Sequence, residues 1–157
     1  MVNLKELARF LVKAKKNTYA GDGEETVDID GCKKLEFSEG DWHYRDVYAG
    51  FYYAPGKEIV FLKERPVWAM AYNGGMLEEY HNNLEFAKQT YAFLKEALKK
   101  VEEQRPLRGP EHLKEEDFEY IDSSEGNIKS FKGTEKILYR GEIVYKQDYI
   151  GGLIIPK

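Results

Sequence analysis

The chain has 157 residues, with 28 acidic against 24 basic side chains and a net charge of −4. That length suits one domain with a sizeable core, spanning 1–157, and the charge lacks the positive field of a nucleic-acid binder, so no direct nucleic-acid partner is expected. The single cysteine, Cys32, excludes an intrachain disulfide and a thiolate metal cage from one chain.

The N-terminal stretch MVNLKELARFLVKAKK opens with Asn3 and, three residues on, Glu6, a cap with its reciprocal acid. Leu4, Leu7, Leu11 and Ala14 then recur at helical spacing, which predicts a helix over about residues 4–16. The stretch lacks the continuous apolar run of a signal peptide, and no segment approaches the ~18 apolar residues of a membrane span, so a cytoplasmic chain without a membrane partner is expected. Residues 17–34 are rich in glycine and acids with little periodicity and read as a loop. They are not a phosphate loop, which would follow a strand and carry a lysine and a hydroxyl.

From Leu35 to Tyr72 the pattern changes to short strands rich in aromatic and branched residues. If residues 41–48 form a strand, Trp42, Tyr44, Asp46 and Tyr48 share one face, and Asp41, His43 and Arg45 share the other. The polar face reads as a solvated ladder. On the aromatic face Asp46 stands out, because a carboxylate among rings must be paired or reach water. Residues 58–72 read as a hairpin turning at Lys63 to Pro66. Its return strand sets Trp68, Met70 and Tyr72 on one face and Val67, Ala69 and Ala71 on the other, and the small residues predict close approach of a helix to the alanine face. That helix is predicted over residues 83–103, where Leu84, Ala87, Tyr91, Leu94, Leu98 and Val101 form an apolar stripe ending before Pro106. A link over 104–116 follows. Two further hairpins are predicted, with tips at Ser124 to Asn127 and at Arg140-Gly141. Strands without intervening helices make an antiparallel sheet, so the expected class is α+β: six to eight strands, one short N-terminal helix and one long helix packed on the sheet.

Of the 12 tyrosines and 2 tryptophans, many fall in the strands between Leu35 and Tyr72, among them Tyr44, Tyr48, Tyr52, Tyr53, Trp68 and Tyr72. Rings with polar tips serve either as core or as the lining of a small-molecule pocket. The second reading makes Trp42, Tyr44, Asp46, Tyr48, Trp68 and Tyr72 the candidate ligand-binding residues of a sensor-like module. The alternative is a small hydrolase-like enzyme with Asp41, His43 and Asp46 as acid/base groups and Arg45 holding an anionic substrate. That alternative needs His43 and Asp46 on one cleft, whereas strand alternation separates them. No cofactor is implied. His112 with Glu116, and Glu78, Glu79 and His81, fall short of a three-ligand metal set, and Ser38, Ser123, Ser124 and Ser130 lie outside any nucleophile motif. The dominance of lysine and glutamate, with glutamine only at positions 89, 104 and 147, is the compositional bias of proteins working at high temperature.

The blocks KNTYAG, LEFSEGDWHYRDVYAGFYYAPGKEIVFLKERPVWAMAYNG, PLRGPE and SSEGNIKSFKGTEKILYRGEIVYKQDYIGG together resemble a family of uncharacterised domains often found behind Xre-type helix-turn-helix segments in bacteria. The resemblance spans most of the chain and implies an effector-sensing or dimerising module beside a DNA-binding domain, with a small ligand or a second copy of the chain as partner. It brings no catalytic residues. One short helix before the KNTYAG block departs from the helix-turn-helix arrangement, so a stand-alone domain is expected.

Overall fold

The computed structural model describes residues 2–157. Asn3 caps helix α1 (Leu4–Lys16): its side chain accepts hydrogen bonds from the backbone N–H groups of Lys5 and Glu6 and donates to the Glu6 carboxylate at 3.2 Å. The helix buries Leu7, Leu11 and Ala14 of the stripe read from its spacing, while Leu4 is half-buried and Phe10, outside that stripe, is buried with them. Thr18 closes its last turn by donating to Ala14 O at 2.8 Å.

Nine strands follow in one antiparallel sheet: β1 (Thr26–Val27), β2 (Lys33–Glu39), β3 (Trp42–Tyr48), β4 (Gly56–Leu62), β5 (Arg65–Met76), then, after helix α2 (Leu84–Leu98), β6 (His112–Glu115), β7 (Phe118–Asn127), β8 (Ser130–Tyr139) and β9 (Glu142–Leu153). Their order is β1-β2-β3-β4-β5-β9-β8-β7-β6, two meanders joined where β5 pairs with β9. The expected count of six to eight strands is too low because the two edge strands lie in the segments read as loop and link. At two and four residues, β1 and β6 are too short to show alternation in sequence.

The expected long helix also needs correcting. Helix α2 has 15 residues against 13 in α1 and stops at Leu98; Val101, the last residue of the predicted stripe, is buried by a turn beyond it. Neither helix approaches the alanine face of β5, where Ala71 is exposed. Both cover the opposite face. α1 packs Leu7, Phe10, Leu11 and Ala14 against Tyr44, Val60, Trp68 and Met70, and α2 packs Ala87, Leu94, Ala97 and Leu98 against Met76, Tyr120, Ile137 and Tyr145. Large side chains won over small ones because area removed from water sets the gain. No helix among the described residues is long and apolar enough to cross a membrane.

Hairpin turns fix the register. Lys63 and Glu64, and Arg140 with Gly141, take positive φ at both central positions, the twist-matched two-residue turn. The third hairpin turns at residues 128–129 rather than at the predicted Ser124 to Asn127, which pair within β7 and β8. Leu11 is fully buried under this arrangement, so Leu11→Ala is expected to lower stability by about 2–4 kcal/mol in urea melts with an unchanged m-value.

Candidate functional site

Cross-strand pairing places rows of inward-facing residues side by side. Asp46 pairs with Glu58, Tyr48 with Gly56 and Gly56 with Tyr72, while Gly74 pairs with Gln147, Gln147 with Glu135 and Glu135 with Asp122. Gly56 is a spatial requirement, since a Cβ there would collide with the Tyr72 ring and hydroxyl and with Tyr48. Its absence lets Tyr72 lean across β4 and donate to Asp46 Oδ1 at 2.7 Å.

A buried ionic network occupies the middle of this face, between the two helices. Lys15, at the end of α1, donates to Glu58 Oε2 at 2.5 Å and to the Tyr19 hydroxyl at 3.0 Å. Arg108, from the link after α2, grips Glu135 with two hydrogen bonds, Nε to Oε2 at 3.1 Å and Nη2 to Oε1 at 2.6 Å, and lies 3.7 Å from Glu58 Oε1. Glu135 also accepts from Tyr120, Tyr145 and Gln147 at 2.7, 3.1 and 3.1 Å. The Arg108 guanidinium lies over the rings of Tyr19 and Tyr72. Beside this network Asp122 accepts from Tyr149 at 2.9 Å and pairs with Arg105, also at 2.9 Å.

A cavity of about 310 Å³ opens on the network, lined by Asp46, Tyr48, Tyr72, Arg108, Tyr145 and Gln147 and closed by Tyr91, Leu94 and Leu98 of α2. Asp46 is the odd member. It is 3% exposed, yet among the described residues it receives one hydrogen bond, from Tyr72, while every other carboxylate in the network has a cation within ion-pairing distance. Among the described residues two buried polar atoms, Tyr44 OH and Glu58 Oε1, have no hydrogen-bond partner.

Burial pushes Asp46 up from the ordinary 3.8 to about 7, and the neighbouring Glu58 charge adds to the rise; the Tyr72 hydrogen bond, Lys15 and Arg108 only partly oppose it. Asp122 rises to about 6, first through burial and then through Glu135. Burial holds Lys15 below the ordinary lysine range despite Glu58. Burial acts most strongly against the Arg108 charge, but Glu135, Tyr19 and Tyr145 together more than offset it and the guanidinium is held well above its ordinary value.

The folded protein therefore binds the Asp46 proton more tightly than the unfolded chain does, and stability declines as pH rises from about 4 towards 7. Asp46→Asn, which keeps an acceptor for Tyr72 without the charge, is expected to raise stability at pH 8 by on the order of 1–3 kcal/mol and to leave it nearly unchanged at pH 4. Thermal melts across that range check this, with Asp122 keeping a smaller slope below its own value near 6.

Of the six residues expected to line a pocket, Asp46, Tyr48 and Tyr72 do so. The other three belong to the core beneath α1. Tyr44 is fully buried, Trp68 donates to Ile128 O at 3.1 Å, and Trp42 stacks on Phe10 with ring centroids 5.4 Å apart. Tyr48 donates outward to Glu25. Asp41, His43 and Arg45 sit on the opposite, solvated face, where Ser38 Oγ and Glu36 bracket the two nitrogens of His43 at 2.8 and 3.2 Å, Arg45 donates to Glu36, and Asp41 faces Lys63. His43 and Asp46 do not converge. His112 meets Glu119 across a hairpin rather than Glu116.

Sequence reasoning missed Lys15, Glu58, Arg108 and Glu135. The signal available was a charge in an apolar register: Lys15 falls four residues after Leu11, Glu58 two before Val60, and Glu135 two before Ile137.

A family profile described as a domain of unknown function, DUF5680, matches residues 46–154. No curated protein and no solved structure matches the chain. The matched segment contains Asp46, Glu58, Tyr72, Arg108 and Glu135, while Lys15 and Tyr19 lie ahead of it. As the match covers more than half of its length, the chain belongs to the DUF5680 family.

Proposed function

We propose that the chain is a small-ligand-binding module whose ligand enters the cavity between α2 and the sheet. The observation that carries this reading is Asp46, a nearly fully buried carboxylate with a single hydrogen bond, facing open space. Buried polar groups normally find partners, and one left short beside a cavity is the arrangement a ligand completes. Displaced proton affinities at Asp46 and Asp122 mark the same region, as they do in sites tuned for binding or reaction. Acid/base catalysis by Asp41, His43 and Asp46 is not supported, since His43 and Asp46 lie on opposite faces of β3 and Asp41, in the turn before it, faces Lys63. Under the binding reading, the resemblance to domains that follow Xre-type helix-turn-helix segments gives the bound state a use, as a signal to a DNA-binding regulator.

A thermal-shift screen with a broad metabolite library tests this. A ligand at 100 times its Kd stabilises the native state by about 2.7 kcal/mol through mass action. Ala54→Trp places a large ring in the cavity wall, at a half-buried position. The expected result is a compound class that raises the melting temperature of the native sequence and leaves Ala54→Trp unmoved. A library without a single hit, or hits equal in both proteins, would overturn the reading.

A further inference from the structure

The inference rests on the ligand-binding reading of the same cavity and concerns the chemistry of what it takes. Around the cavity two buried cations, Lys15 and Arg108, stand against three buried carboxylates, Asp46, Glu58 and Glu135, and a third cation, Lys95 of α2, lines the cavity but pairs with the exposed Asp22 at 3.2 Å. The neighbouring Arg105 and Asp122 balance each other. Lys15 is committed to Glu58 and Tyr19, and Arg108 spends two donors on Glu135 while its remaining edge faces Glu58. Among the described residues no cation lies within ion-pairing distance of Asp46. With Asp46 ionised the site is short by one positive charge, and the missing charge belongs where that carboxylate meets the cavity.

The rest of the lining suits the same partner. Tyr48, Tyr72, Tyr91 and Tyr145 present rings to the cavity, and aromatic faces attract a cation while tolerating an apolar body. Leu94 and Leu98 supply an apolar wall opposite. An anion would have to draw Arg108 from Glu135, leaving a buried carboxylate bare, which is a costly exchange, or rely on Lys95, which is already paired with Asp22 and partly open to solvent, where a pairing contributes little.

We propose that the cavity binds a small organic cation, a protonated amine or guanidinium with a short apolar body, whose charged end sits on Asp46 and whose body lies between the tyrosine rings and α2. The groups that face Asp46 are Glu58 from β4, Lys15 from α1, Arg108 from the link and the Tyr72 hydroxyl from β5. Asp46 changes charge near neutrality, so the cation competes with its proton. Since Asp46 takes that proton at about pH 7, cation affinity is expected to fall about tenfold from pH 8 to pH 6 and to level off above pH 8.

The test is calorimetric titration of the full chain with n-butylamine, 2-phenylethylamine and n-butylguanidine, beside 1-butanol, 2-phenylethanol and butyrate as neutral and anionic counterparts. The expected result is that at least one cation binds at least tenfold more tightly than its neutral counterpart. Asp46→Asn should remove that preference, and Ala54→Trp should abolish binding altogether. Asp46→Ser serves as a second uncharged variant should the asparagine form fold poorly. Neutral or anionic counterparts that bind as tightly as the cations, through a site that Ala54→Trp closes, would overturn the cation inference and leave the ligand-binding reading standing. Failure of all three cations to bind overturns the inference as well, while the metabolite screen decides the broader reading on its own.

Discussion

Arg108→Leu is expected to destabilise the protein by about 3–5 kcal/mol, the scale for removing one partner of a buried ion pair. Among the described residues the guanidinium is the only cation within ion-pairing distance of Glu135, and it approaches Glu58 as well. Its loss leaves the Glu135 charge supported by Tyr120, Tyr145 and Gln147 alone. Those neutral donors soften the loss without replacing a full charge in a medium where an unpaired ion is strongly disfavoured. The loss should shrink under acid conditions, because an unpaired buried carboxylate takes up a proton more readily than it does in the unfolded chain. The double variant Arg108→Leu with Glu135→Gln should recover part of the loss at neutral pH, as it removes the orphaned charge and keeps an acceptor for the tyrosines. Urea melts at pH 8 and pH 5 measure both effects. A loss below 1 kcal/mol at pH 8 would mean that Glu135 is neutral or hydrated in the folded protein.

Lys15→Met is expected to cost a similar amount, about 3–5 kcal/mol at pH 8. Methionine preserves the packing of the lysine stem but leaves Glu58 without its 2.5 Å partner, facing Arg108 at 3.7 Å and Asp46 across the strand pair. Two neighbouring carboxylates with one distant cation cannot both stay ionised at ordinary pH. Asp46 should therefore be driven further up in this variant, and Glu58→Gln in the Lys15→Met background should restore most of the stability. Because Lys15 belongs to α1, its loss should also loosen the helix that covers Tyr44, Val60 and Trp68. Faster amide exchange across residues 4–16 would report that loosening. Unchanged exchange together with full stability would show that α1 is held by its apolar stripe alone.

What could be read in the sequence was local. The Asn3 cap, the stripe of α1 and the alternation of β3 each follow from spacing within one short segment of the chain, and each stands in the structure. Asp46 was visible as a carboxylate on an aromatic face because its neighbours Tyr44 and Tyr48 lie two residues away on the same strand. Its surroundings were not visible. Glu58, Lys15 and Arg108 come from β4, α1 and the link after α2, and only sheet register and helix docking bring them together. Lys15 is the instructive case, for a lysine at the end of an amphipathic helix ordinarily reaches solvent, and this one is fully buried because Glu58 lies within its reach. The alanine face of β5 misled for the opposite reason. Small side chains permit close packing but do not drive it, and the helices followed Trp68, Met70 and Met76.

The most direct test of the account is the titration of Asp46 itself, followed by the carboxyl carbon resonance in protein labelled at aspartate side chains, with Asp46→Asn assigning the signal. A midpoint near 7 is expected in the free protein, with a shift towards the ordinary aspartate range when a cation such as n-butylamine occupies the cavity. A carboxyl carbon that titrates near 4 in the free protein would contradict it, because Asp46 would then already be partnered or solvated and the cavity would hold no unmet charge.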